Sequence, residues 1–191
     1  MTTNQPVSAR RQFWKTVLLF GAIHFLVMSL GILVESGSGG CMFIIPAYFM
    51  ILPVMLSILI LRRLGAGTAV FLPYAILGVF PVYYFELPKM YGLWGVAAWC
   101  LIGPLVGLVA DLTFKFLPER ISERWRAILL GAVTGAALFV TTYVALATFY
   151  REPDLGSHFR FFTAGIYFSL PWLVVNGGFA GYTAYALTKR V

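Results

Sequence analysis

Six apolar stretches alternate with short polar segments along the chain, and the polar segments are too brief to hold domains of their own. A hydrocarbon core about 30 Å thick takes roughly 20 apolar residues per helical span, so each stretch predicts one transmembrane helix. The first covers residues 13–34 and the second residues 42–61, divided by the small polar hairpin Glu35-Ser36-Gly37-Ser38-Gly39-Gly40. The third, 68–85, carries Pro73 and Pro81, which remove helix hydrogen bonds and predict a kinked or partly unwound segment. The fourth, 92–116, contains Gly103-Pro104; the fifth covers 125–150 and the sixth 161–188. The expected fold is an all-α membrane protein, a bundle of six transmembrane helices. Residues 1–12 read as a flexible cytoplasmic tail and 13–191 as a single transmembrane domain.

Composition agrees with this pattern. With 60% hydrophobic and 11% charged residues, the chain has too little polar surface to clothe a soluble globule of its size. Of the fourteen Lys and Arg residues, eleven fall at the N-terminus, in every second gap between the stretches, or at the C-terminus. These are Arg10, Arg11, Lys15, Arg62, Arg63, Lys115, Arg120, Arg124, Arg126, Lys189 and Arg190. Lys89, Arg151 and Arg160 fall on the other side, together with Glu35, Glu86, Glu152 and Asp154. Cytoplasmic loops retain Lys and Arg, so both termini are expected in the cytoplasm. The net charge of +7 then follows from topology and carries no argument for nucleic acid, since no recognition motif accompanies it. Residues 13–34 are long enough to remain as a span rather than act as a cleavable signal.

Chemistry-bearing residues are few. Cys41 and Cys100 match no zinc, redox or disulfide spacing and read as small apolar packing residues. Only two histidines are present, no metal-ligand or nucleotide-binding motif is visible, and no catalytic residue, cofactor or metal site is expected. His24, in the middle of the first span, is either a ligand contact or a neutral histidine bonded to a neighbouring helix. Asp111 stands four residues before Lys115 on one helix face, and a helix-end ion pair between them is expected. Asn176 needs a partner in lipid: it bonds across a helix interface or reaches a bound substrate. GxxxG spacings at Gly103/Gly107, Gly131/Gly135 and Gly177/Gly181 offer flat faces to another helix of the bundle or to a partner protein.

The outer side collects Glu35, Tyr83, Tyr84, Glu86, Tyr91, Trp94, Trp99 and His158. An interfacial aromatic belt accounts for the rings. The alternative is a pocket in which rings stack on a planar ligand and carboxylates bond to it. The Pro-interrupted third span and its Pro88 loop would supply irregular backbone for such a pocket. On that reading Glu35, Tyr84, Glu86, Trp94, Trp99, Asn176 and His24 are the candidate substrate-binding residues.

The chain resembles the substrate-binding S-components of energy-coupling factor (ECF) ABC transporters. The likeness lies in its length, six spans and cytoplasmic termini, in the fourth span from Leu93-Trp94-Gly95-Val96 through Gly103-Pro104-Leu105-Val106-Gly107-Leu108-Val109-Ala110-Asp111, and in the ending Asn176-Gly177-Gly178-Phe179-Ala180-Gly181-Tyr182. The resemblance implies a vitamin-like small molecule captured from outside. It also implies transport that depends on a membrane coupling subunit and cytosolic ATPases, which would carry out any ATP hydrolysis. The Ala-x-x-x-Ala docking surface often seen on the family's first span has no counterpart, because Ala22 is followed four residues later by Leu26. Rings around an acidic mouth suit a planar cation such as thiamine or its pyrimidine precursor. The other classes are an accessory or scaffold subunit of a larger membrane complex, and a membrane enzyme acting on lipid or prenyl substrates. For the enzyme, the basic loop 115–126 offers only Glu119 and Glu123.

Overall fold

The computed structural model describes residues 7–38, 44–77, 87–149 and 166–190, and these are helical apart from the short turns between helices and the chain's last residues. The helices are α1 (Val7–Ser38), α2 (Ile44–Leu61), α3 (Ala66–Leu77), α4 (Leu87–Phe116), α5 (Glu123–Phe149) and α6 (Ile166–Thr188). An all-α fold of six helices therefore stands among the described residues. Within them, Glu123–Ala145 is long and apolar enough to cross a membrane, and Ala47–Leu61 is a shorter apolar stretch.

Helix ends depart from the hydropathy boundaries. α1 begins at Val7, so residues 7–12, expected as flexible tail, are helical: Ala, Arg and Gln are good helix formers and need no apolar environment. α1 also runs through Glu35 to Ser38, which makes most of the expected polar hairpin its last turn. Pro88 lies in the first turn of α4 rather than in a loop, where a missing N–H costs nothing. α3 has 12 residues, about 18 Å of helix, and continues through Pro73 without unwinding. Gly21 of α1 makes room for that proline ring; a Cβ at position 21 would lie 2.8 Å from Pro73 Cγ.

α2 is the hub. It packs against all five other helices, while α1–α3, α3–α4, α4–α5 and α5–α6 form the surrounding succession. Its Ala47, Ile51, Val54, Met55 and Ile58 are fully buried. One end of the bundle gathers the C-termini of α2, α4 and α6 with the N-termini of α3 and α5, as the Arg62–Glu123 and Gly67–Asp111 contacts show. Arg62, Lys115, Arg120, Arg124, Arg126 and Lys189 all belong to this basic end.

The small-residue faces are used inside the chain. A Cβ on Gly131 would strike the Gly177 carbonyl, one on Gly177 the Gly131 carbonyl, one on Gly135 the Leu173 carbonyl, and one on Gly181 the Ala127 carbonyl. α5 and α6 thus meet backbone to backbone. On α4, Gly103 faces the Phe71 ring, and Gly107 faces the backbone of Gly67 and Thr68.

Gly177→Ala should destabilise the protein by about 1–3 kcal/mol, because the opposing atom is backbone and cannot rotate away. Gly178→Ala, whose Cβ would sit 3.6 Å from Ile128 Cγ2, should be nearly neutral. Thermal unfolding of the two variants in detergent checks the contrast.

Candidate functional site

The polar groups buried in this apolar bundle mark where its sequence is most constrained. Asp111 is 2% exposed. Its Oδ1 accepts from the Gly67 N–H at 2.9 Å, and its Oδ2 accepts from the Thr68 N–H at 2.9 Å and the Thr68 hydroxyl at 2.8 Å. These are the second and third N–H groups of α3, the donors that a helix normally satisfies with its own N-cap side chain. The residue in the cap position is Gly65, with φ 90° and no side chain, so the cap comes from α4. Gly103, Gly107 and Asp111 recur every four residues on one face of α4, and the two glycines bring α3 close enough for the carboxylate to reach its backbone.

The expected Asp111–Lys115 pair is thereby corrected. The carboxylate turns to α3, where three donors converge on it, while the exposed Lys115 ammonium lies 5.5 Å from the Phe116 ring centroid.

The connection into α3 is equally specific. Arg62 has left-handed backbone, φ 47°, and its N–H donates to the Ile58 carbonyl at 2.8 Å, closing the last turn of α2. A non-glycine residue in that region costs on the order of 1 kcal/mol. The turn points the Arg62 guanidinium at Glu123, 2.7 Å away. Because this pair is largely exposed, it orients more than it stabilises.

His24 is fully buried. Its Nδ1 lies 3.1 Å from the Met50 carbonyl oxygen; since a carbonyl only accepts, Nδ1 carries the proton. The ring meets Phe71 edge-on at 4.6 Å, so His24 joins α1, α2 and α3. Asn176 does not bond across an interface through the contact seen here: its Nδ2 donates to the Trp172 carbonyl one turn back, at 2.9 Å. Glu35 lies in α1, and Trp94 and Trp99 lie in the first half of α4. Tyr84 and Glu86 lie outside the described residues, as do Cys41, Tyr83 and His158.

At the basic end, a cavity of about 320 Å³ opens between α2, α4, α5 and α6. Arg62, Arg126 and Lys189 line it with a single carboxylate, Glu123, and Ile60 and Phe114 form apolar wall. Arg126 is half-buried. Its guanidinium lies 5.3 Å from the Phe114 ring centroid and donates one long bond, 3.4 Å, to the Phe114 carbonyl. Among the described residues its buried Nε has no hydrogen-bond partner. Lys189 lies 5.0 Å from the Tyr185 ring centroid, and a side-chain hydrogen bond with Tyr185 raises its pKa above the ordinary lysine value. Among the described residues no group of three His, Cys, Asp or Glu could hold a metal.

Sequence reasoning missed both the cap and the cavity. The four-residue recurrence of Gly103, Gly107 and Asp111 was a usable signal for the cap. The cavity had none, because its residues come from four helices. No protein-family model, curated protein or solved structure matches the chain.

Asp111→Ala should cost roughly 3 kcal/mol, since it leaves the Gly67 and Thr68 N–H groups without their acceptor. Thr68→Val, which removes one hydroxyl bond, should cost about 1 kcal/mol. Comparing their unfolding midpoints with that of the unsubstituted protein tests this ranking.

Proposed function

We propose that the chain is a multi-pass membrane protein with six transmembrane helices and cytoplasmic termini, and that it is the solute-binding subunit of an importer similar to the ECF S-components. The observation that carries the membrane reading is an inverted distribution of polarity. Leu18, Leu26, Leu101 and Phe179 point outward with 57–62% of their surface exposed, whereas His24, Ser57, Asp111, Thr134, Thr142 and Ser169 are buried. Water does not favour apolar faces on five or six helices at once, and lipid does. The Lys and Arg residues of the basic end face the cytoplasm on this reading.

Solute capture rests on the resemblance and on the acidic, aromatic composition of the outer segments. Glu35 and Glu86 supply negative charge, and Tyr84, Trp94 and Trp99 supply rings, a combination suited to a planar cation. His24 and Asn176 are the further candidate contacts within the bundle, where His24 also joins α1 to α2 and α3. Import then depends on a membrane coupling subunit and cytosolic ATPases. A scaffold subunit would offer its small-residue faces to a partner, but here Gly131, Gly135, Gly177 and Gly181 already pack against each other's helices, which favours the binding subunit.

Extraction from membranes should require detergent, and the purified protein should carry, or be thermally stabilised by, a vitamin-like cation. Glu86→Gln and Trp94→Ala should each weaken that binding by about tenfold. Unchanged affinity in both variants would remove the outer pocket, and recovery of the protein in the aqueous fraction would remove the membrane reading.

A further inference from the structure

We infer that the cavity at the basic end binds a phosphate-bearing anion, at a site separate from the outer pocket. Three cations against one carboxylate leave the cavity walls positively charged, and Glu123 is already engaged by Arg62. Arg62 itself is oriented by that ion pair, 2.7 Å long. The decisive group is Arg126. Its guanidinium lines the cavity, and among the described residues the bond seen for it is one long contact to a carbonyl, which leaves donor capacity for an anion. Stacking over Phe114 holds the guanidinium plane in place, the arrangement in which arginine presents a rigid fork to phosphate oxygens. Lys189, held beside the Tyr185 ring, adds a further positive charge to the lining.

The walls also explain which phosphates fit. Ile60 is 46% exposed and Phe116, the last residue of α4, 72% exposed, so apolar surface lies beside the cationic cavity. A phospholipid headgroup entering the cavity can lay its acyl chains on that surface, as basic pockets between transmembrane helices do on the cytoplasmic side. A soluble phosphate ester shares the headgroup chemistry and would use the same donors without the apolar contact. The lipid source rests on the multi-pass reading proposed above; the phosphate chemistry does not.

The test uses the purified full chain in detergent, with its melting temperature followed against phosphatidylglycerol in mixed micelles, phosphatidylcholine in the same micelles, and inorganic phosphate. Phosphatidylglycerol should raise the melting temperature saturably where phosphatidylcholine does not, and Arg126→Gln and Lys189→Gln should each shift half-saturation about tenfold upward. A response to the lipid alone assigns the site to a headgroup, and an equal response to inorganic phosphate assigns it to a soluble ester. Lys189 is exposed at the chain's end, so Lys189→Gln keeps the test valid if Arg126→Gln fails to fold. No saturable response to either anion, or identical responses in both folded variants, overturns the proposal. The detergent requirement for extraction is read independently, so failure of the membrane reading is not mistaken for failure of the anion site.

Discussion

A backbone N–H buried in an apolar interior must find an acceptor, and at the start of α3 that requirement organises half of the bundle. The cap residue Gly65 has no side chain to offer, so Asp111 reaches across from α4 to hold Gly67 and Thr68. That reach is short, and it demands that α3 and α4 approach closely. Gly67, Gly103 and Gly107 are therefore consequences of the same bond. α3 in turn positions Phe71 against His24, and His24 ties α1 to the Met50 carbonyl of α2. A chain of dependence runs from one carboxylate to four helices. Inside the bundle each of these bonds weighs more than it would in water, because little solvent competes for the groups that make it.

The other side of the bundle is held by a different means. In their central contact α5 and α6 touch through glycine and carbonyl, where attraction comes from dispersion at short range. Among the described residues the bundle is thus built from two kinds of seam. One is a polar seam at α3–α4, continued through His24, and the other is a bare-backbone seam at α5–α6, with α2 packed between them.

The all-α character was legible because long apolar runs leave few alternatives, and among the described residues Arg62, Lys115, Arg124, Arg126 and Lys189, which the charge alternation groups together, meet at the basic end. Helix ends were less legible. Hydropathy registers where a medium changes, while helices stop where caps and turns allow, so α1 extends through Arg10 and Arg11 at one end and Glu35 at the other. Asp111 shows the limit most clearly. Spacing exposes its neighbour Lys115 four residues on, but its partners are backbone groups more than forty positions earlier, and no local pattern reports them. Arg126 was legible as one charge of a basic loop, and its stacking on Phe114 needed the packing of α4 beside α5. Among the candidate ligand contacts, the bonding of His24 and Asn176 is described, whereas Tyr84 and Glu86 lie outside the described residues.

The glycine seam between α5 and α6 has a mechanical consequence. Helices separated by side chains can shear past one another as rotamers readjust, but helices whose backbones interlock have no such lubricant. Sliding of α5 past α6 should therefore meet more resistance than sliding at a side-chain-packed interface. Adjustment within the bundle falls to the interfaces of α1, α2 and α3, where Met50, Met55, Phe71 and Ile58 supply the deformable filling.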